Sequence, residues 1–241
     1  MTIPFKNNCI NFYPLNNNFD SLTGVKPNSY SGTFNASKKC IEFNGEQYID
    51  FPLSALNLPA HNFSIVLQVK LQTYTSGTHG IIWIGSLGSF NPYWSKGLLT
   101  YDNILALGAA NRNGGSAGGG GGWPAFISNN ASSLFNTKND FNTIIITDTE
   151  EECRAYIDGK LIGINLNPGN TPTSGSIMLG KHDGYCNGLY RNLGSYNIAF
   201  TEEQVKQINF KEESHMIKSS VKNTILNNKL FQEYYIPYKE E

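Results

Sequence analysis

Long stretches of any single character are what this sequence lacks. Only 15% of its 241 residues are charged, and 18 lysines and arginines against 19 aspartates and glutamates leave a net charge of −1. No basic run or stripe is present to neutralise a phosphate backbone, so nucleic acid is not an expected partner. No stretch approaches the roughly 18 uninterrupted apolar residues that cross a bilayer as a helix, which leaves no expected membrane span. The opening MTIPFKNNCINFYPLN has no basic segment followed by an apolar one, so no signal peptide is expected. Cys9, Cys40, Cys153 and Cys186 stand far apart with no C-x-x-C pair. Zinc and redox roles are therefore not expected, and in an unexported chain small buried thiols are favoured over disulfides. Repeats of 20 to 50 residues are also missing, which disfavours a propeller or a solenoid.

Turn formers and strand formers are abundant instead. There are 24 glycines, 10 prolines and thirty asparagines, and 12% of residues are aromatic. That balance suits many short strands joined by turns, and the length suits one large all-β domain. From Phe63 to Leu71, Phe63, Ile65, Leu67, Val69 and Leu71 alternate with Ser64, Gln68 and Lys70. Period two predicts a strand with one face in the core and the other largely in solvent. Cys40–Phe43 and Tyr48–Phe51 are expected to form a hairpin about Asn44-Gly45-Glu46-Gln47, with Ile41 and Phe43 facing inward.

The runs 80–85, 97–101 and 104–107 are apolar, short and bounded by glycine or asparagine, as central strands are. Segment 111–123 is glycine-rich and reads as a loop between strands. Phe141–Thr147 pairs in expectation with Cys153–Ile157 across the acidic turn Glu150-Glu151-Glu152, and Asp158-Gly159 then marks a type I′ hairpin. Ser176–Gly180 and Leu189–Ile198 bring the strands to roughly a dozen, the number of a two-sheet sandwich. Thr201-Glu202-Glu203-Gln204 spells a capping box, with Phe200 and Val205 placed as a hydrophobic staple for a helix running through Ile208 toward Met216.

The order of these segments resembles the laminin G-like, or concanavalin A-like, jelly-roll domains of bacterial surface and phage proteins. Three stretches carry it: Phe12–Asp20 followed by Ile41–Phe51; Asn62–Lys70; and Phe141 through Ala155–Gly163 to Asn187–Leu193 and Asn197–Val205. The resemblance implies an antiparallel jelly-roll β-sandwich over residues 1–209, with its first and last strands side by side. It is specific for architecture and not for a ligand. Residues 210–241 fall beyond the pattern. There Met216, Ile217, Val221, Ile225, Leu226 and Leu230 form an apolar helical stripe, and Tyr234, Tyr235 and Tyr238 gather around Pro237. This tail either folds back on the sandwich or anchors the chain to another subunit.

Glucanases with this jelly roll place their carboxylates as E-x-D-x-x-E on one strand. That motif is missing, and no nucleophile, base and oxyanion donors assemble from the sequence, so the chain is not expected to be an enzyme. The glycine run 114–122 has no G-K-[ST] and opens no helix, which rejects phosphate binding. Sugar sites set aromatic faces beside amide or carboxylate partners. Asn91-Pro92-Tyr93-Trp94 fits that description, and Trp123, at the end of the glycine run, could share its rim, so Tyr93, Trp94 and Trp123 are the first candidate ligand-binding residues. His182 and Asp183, in the polar loop Lys181–Tyr185, are two more, with simple solvation the competing account of His182. Trp83, inside a strand, reads as packing.

No cofactor is expected. Calcium held by Asp20, Asp50 or Asp183 with backbone carbonyls is the one metal that relatives suggest, though no contiguous oxygen-ligand motif is present. These features lead to the expectation of a non-catalytic module that recognises surface carbohydrate on a phage virion, made in the host cytoplasm without export. The alternatives are a structural virion protein docked on other subunits or on its own copies, a jelly-roll glycoside hydrolase, and, for location, the cytoplasm.

Overall fold

The computed structural model describes residues 3–72, 78–85, 96–101, 104–109, 125–128, 131–135, 141–166 and 168–208. Among these run fifteen strands: β1 (Cys9–Tyr13), β2 (Ser29–Tyr30), β3 (Thr33–Asn35), β4 (Cys40–Asn44), β5 (Ile49–Pro52), β6 (Phe63–Leu71), β7 (Thr78–Gly85), β8 (Lys96–Tyr101), β9 (Ile104–Ala109), β10 (Ala125–Ser128), β11 (Asn142–Asp148), β12 (Glu152–Ile157), β13 (Lys160–Leu166), β14 (Ser176–Leu179) and β15 (Asn187–Tyr196). Two short helices accompany them, α1 (Ala131–Leu134) and α2 (Glu202–Gln207). Residues Phe5–Ile208 form one compact unit.

Every pairing between named strands is antiparallel, and the strands divide into two sheets. One has eight strands in the order β13-β12-β11-β6-β15-β4-β3, with β1 also on β15; the other has seven in the order β10-β9-β8-β7-β14-β5-β2. This is the expected all-β, two-sheet sandwich. Strand β15 is its spine. Its full length lies along β6, while β4 takes the Asn187–Tyr190 half of its other edge and β1 the Leu193–Tyr196 half. The first and last strands thus lie side by side, with Tyr13 opposite Leu193. Asn192, at a positive φ of 57°, marks the irregularity in β15 where the two partners change over.

The inner faces supply the core. Ile65, Leu67, Val69, Ile144, Ile146 and Tyr190 of one sheet and Ile49, Phe51, Ile82, Ile84, Leu98 and Ile177 of the other belong to one buried cluster. A charged contact crosses between the sheets inside it. Lys96 of β8 places Nζ 2.5 Å from Asp148 Oδ2 of β11, and His61 Nδ1 lies 2.9 Å from the other carboxylate oxygen. The Lys96 and Asp148 side chains are 1% and 0% exposed. His61 Nε2 in turn lies 2.8 Å from Asn170 Oδ1, which extends the chain of contacts to the loop before β14.

Local chemistry sets several turns as anticipated. Asp158 and Gly159 both take positive φ, 51° and 78°, and join β12 to β13. The Asp158 carboxylate also accepts from the Thr143 backbone N–H and from Asn142 Nδ2, so this turn fastens the start of β11 as well. Thr201 and Gln204 close the capping box on α2.

Three expectations need correction. The β4–β5 hairpin does not form: the Asn44–Gln47 turn, with Asn44 Oδ1 accepting from the Glu46 N–H, carries the chain from one sheet to the other. Both strands present apolar side chains to the same core, so alternation alone cannot tell a hairpin from such a crossover. Strand β6 does not show a face to solvent. Ser64 is fully buried and Gln68 is 5% exposed. Their polar groups are satisfied locally, since Ser64 Oγ donates to Ile198 O and accepts from the Phe200 N–H, while Gln68 Oε1 accepts from Arg191 and Asn192. Helix α2 stops at Gln207, and Ile208 is already extended. Residues 209–241, where the apolar stripe and the tyrosines of the tail occur, lie outside the described residues.

Replacing Asp158-Gly159 by Val-Val should lower stability by about 1–3 kcal/mol, because β-branched side chains resist positive φ. An unchanged urea midpoint would refute the turn's role. Asp148→Ala leaves the buried Lys96 side chain without its partner and should cost about 3–5 kcal/mol, which calorimetric melting of the variant measures.

Candidate functional site

The outer face of the seven-stranded sheet carries a second, smaller buried cluster made of Trp83, Leu99, Ala106 and Met178, with Tyr48 against it. Trp83 alternates along β7 with Ile82 and Ile84, which face the main core, so its indole projects the other way. Glycines make room for it: a Cβ at Gly108 would come within 2.8 Å of the indole ring. The indole N–H is buried and makes no hydrogen bond among the described residues.

The loop Lys181–Tyr185 lies over this face. It is held by the Cys186 N–H donating to Gly180 O and by the His182 N–H donating to Gly184 O. Its seat exists because position 80 has no side chain, as a Cβ there would sit 2.3 Å from the Lys181 carbonyl oxygen. His182 is 4% exposed and meets the Trp83 ring edge-on, with centroids 4.3 Å apart. The solvated loop-tip histidine considered above is thus buried, because the loop turns its histidine inward onto the sheet. Burial holds the imidazole below its ordinary value of 6.5, opposed by the Asp183 carboxylate 3.4 Å away.

Asp183 itself is exposed. Lys181, from the same loop, meets two half-buried tyrosines. Lys181 Nζ lies 4.5 Å from the ring centroid of Tyr48 and 5.2 Å from that of Tyr185, and the two rings are 6.1 Å apart. The result is a rim of two aromatic rings and an ammonium, with the exposed Asp183 carboxylate in the same loop, groups able to stack on a sugar ring and bond its hydroxyls.

Of the residues singled out in the sequence, His182 and Asp183 are together at this rim, one beneath it and one on it. Tyr93, Trp94 and Trp123 lie outside the described residues. Lys181 and Tyr185 share the polar loop already noticed in the sequence. Tyr48, from the segment before β5, is brought there only by the strand pairing of β5 with β14 and had no local signal. Asp20, Asp50 and Asp183 have separate partners: Lys26, Asn28 and His182 respectively. Among the described residues no group of three or more His, Cys, Asp or Glu side chains is placed to hold a metal ion.

No protein-family model matches the chain, and no curated protein sequence matches it. Solved structures do share its fold. Trypanosoma rangeli sialidase is 13% identical with a TM-score of 0.57, over 83% of this chain and 32% of the sialidase. Domain 4 of a GH43 extracellular arabinanase from Geobacillus stearothermophilus, solved with arabinotriose, is 18% identical with a TM-score of 0.55, over 83% of this chain and 97% of that domain. The binding domain of Paraclostridial Mosquitocidal Protein 1 is 14% identical with a TM-score of 0.58, over 84% of this chain and 52% of that one. The chain therefore spans about a third of the sialidase. These likenesses show a shared β-sandwich fold, with which a jelly roll is consistent. They also overturn the expectation that the chain is not an enzyme: the sialidase and the arabinanase are enzymes, and this sandwich is built into them.

A buried imidazole of lowered pKa makes the loop pH-sensitive. The unfolded chain takes up the proton at a higher pH than the folded one, so the stability due to a neutral His182 is fully present above 6.5 and lost as pH falls through the lowered value. Urea unfolding between pH 8 and 5 should show this slope in the wild type and a shallower one in His182→Gln; parallel curves would count against it.

Proposed function

We propose that the chain is a carbohydrate-recognition β-sandwich whose ligand lies against Tyr48 and Tyr185 at the Lys181–Tyr185 loop. The observation that carries this is the pair of half-buried rings 6.1 Å apart with Lys181 against both. Rings held in place by a cation and by a packed sheet meet a sugar with little further loss of side-chain freedom, and the charged groups give direction through hydrogen bonds. The arabinanase domain of the same fold, solved with arabinotriose, supports a sugar as the class of ligand. Tyr93, Trp94 and Trp123 are proposed as further ligand-binding residues.

A glycan array, with arabinotriose among its probes, tests the proposal, followed by calorimetric titration of the strongest ligand. Tyr48→Ala and Tyr185→Ala should each weaken binding about tenfold, the equivalent of about 1.4 kcal/mol. Full affinity in the double variant, or no bound glycan at all, overturns the assignment.

A further inference from the structure

The contact between Lys96 and Asp148 lies away from the candidate sugar site and has the makings of a reaction as well as of an ion pair. The ammonium nitrogen is 2.5 Å from Asp148 Oδ2, both side chains are sealed from solvent, and the Phe63 ring centroid is 5.1 Å from Nζ. His61 faces the second carboxylate oxygen at 2.9 Å. Because its Nε2 is taken up by Asn170 Oδ1, an acceptor only, a proton must lie between His61 Nδ1 and Asp148 Oδ1. We propose that Lys96 and Asp148 condense to an intramolecular amide that joins β8 to β11 and so links the two sheets covalently.

The atoms balance without any co-reactant. The lysine ammonium gives one proton to Oδ2, its freed lone pair attacks Cγ, and a C–N bond forms. A second proton then passes from nitrogen to Oδ2, the Cγ–Oδ2 bond breaks, and Oδ2 leaves as water with the bonding pair. Oδ1 remains as the amide carbonyl, and the proton shared with His61 stabilises it while it carries negative charge.

The surroundings favour the protonated carboxyl of Asp148 from which water can leave. A dry interior disfavours separated charges, and burial pushes the Asp148 carboxyl above the ordinary carboxylate range, against the opposing pull of Lys96 and His61. Cys153, which also lies against Asp148, is buried with its thiol pushed well up by desolvation, so it stays protonated and does not compete as a nucleophile. Two strands of different sheets hold the partners face to face, which replaces a bimolecular encounter with a fixed one.

Intact mass measurement of the full wild-type chain, unfolded in denaturant, tests this. The expected mass is lower than that of the sequence by one water, and proteolysis should yield one branched peptide containing Lys96 and Asp148. A full sequence mass overturns the proposal. So does a lost water that maps to a succinimide at Asp158-Gly159 with the Lys96 and Asp148 peptides separate. Lys96→Met should restore the full mass whether or not it folds. In His61→Leu, the unlinked form should persist for longer after synthesis; linkage as rapid as in the wild type would overturn the role given to His61.

Discussion

The contact of Lys96 with Asp148 is the constraint around which the sandwich is arranged. Apolar burial between two sheets is strong but non-directional, and would be satisfied by several relative placements of the sheets. A buried ion pair is not so tolerant, because either partner left alone in the core is costly. Lys96 opens β8 in one sheet and Asp148 closes β11 in the other, so their meeting fixes one end of the sandwich. His61 and Asn170 extend the same chain of contacts to the segment before β6 and to the loop before β14.

With the sheets so placed, the outer face of the seven-stranded sheet becomes a platform. Trp83 lies across it where Gly108 leaves space, and Gly80 admits the Lys181–Tyr185 loop at a backbone distance no side chain would allow. His182 packs downward on Trp83, which leaves Lys181, Asp183 and Tyr185 at the rim with Tyr48. The bare glycines are thus as much a part of the candidate sugar site as the tyrosines are. Fold alone does not say what such a surface does, since structures sharing this sandwich include a sialidase, a domain of an arabinanase and the binding domain of a mosquitocidal protein.

Much of the architecture was legible because its signals are local. Asp158-Gly159 demanded positive φ whatever lay around it, and Thr201 with Gln204 capped a helix from within four residues. The strands β6, β11 and β12 were located correctly as well. What could not be read was the destination of each face. Ser64 and Gln68 look like solvent-facing residues until Phe200, Ile198, Arg191 and Asn192 arrive to bond them. The absence of a glucanase motif likewise said nothing about other enzymes into which the same sandwich is built.

The chain's resemblance to jelly-roll domains implied the pairing of the first strand with the last; the residues by themselves determined the all-β class, the main turns and the terminal cap. These follow from backbone conformations and side-chain periods that nearest neighbours impose. Only the tertiary structure decided that β4 and β5 part into different sheets, that Lys96, Asp148 and His61 converge, and that Tyr48 joins Lys181 and Tyr185. Those meetings are between residues 35 or more positions apart. Their partners are chosen by which surfaces must be buried together, and no short stretch of chain carries that information.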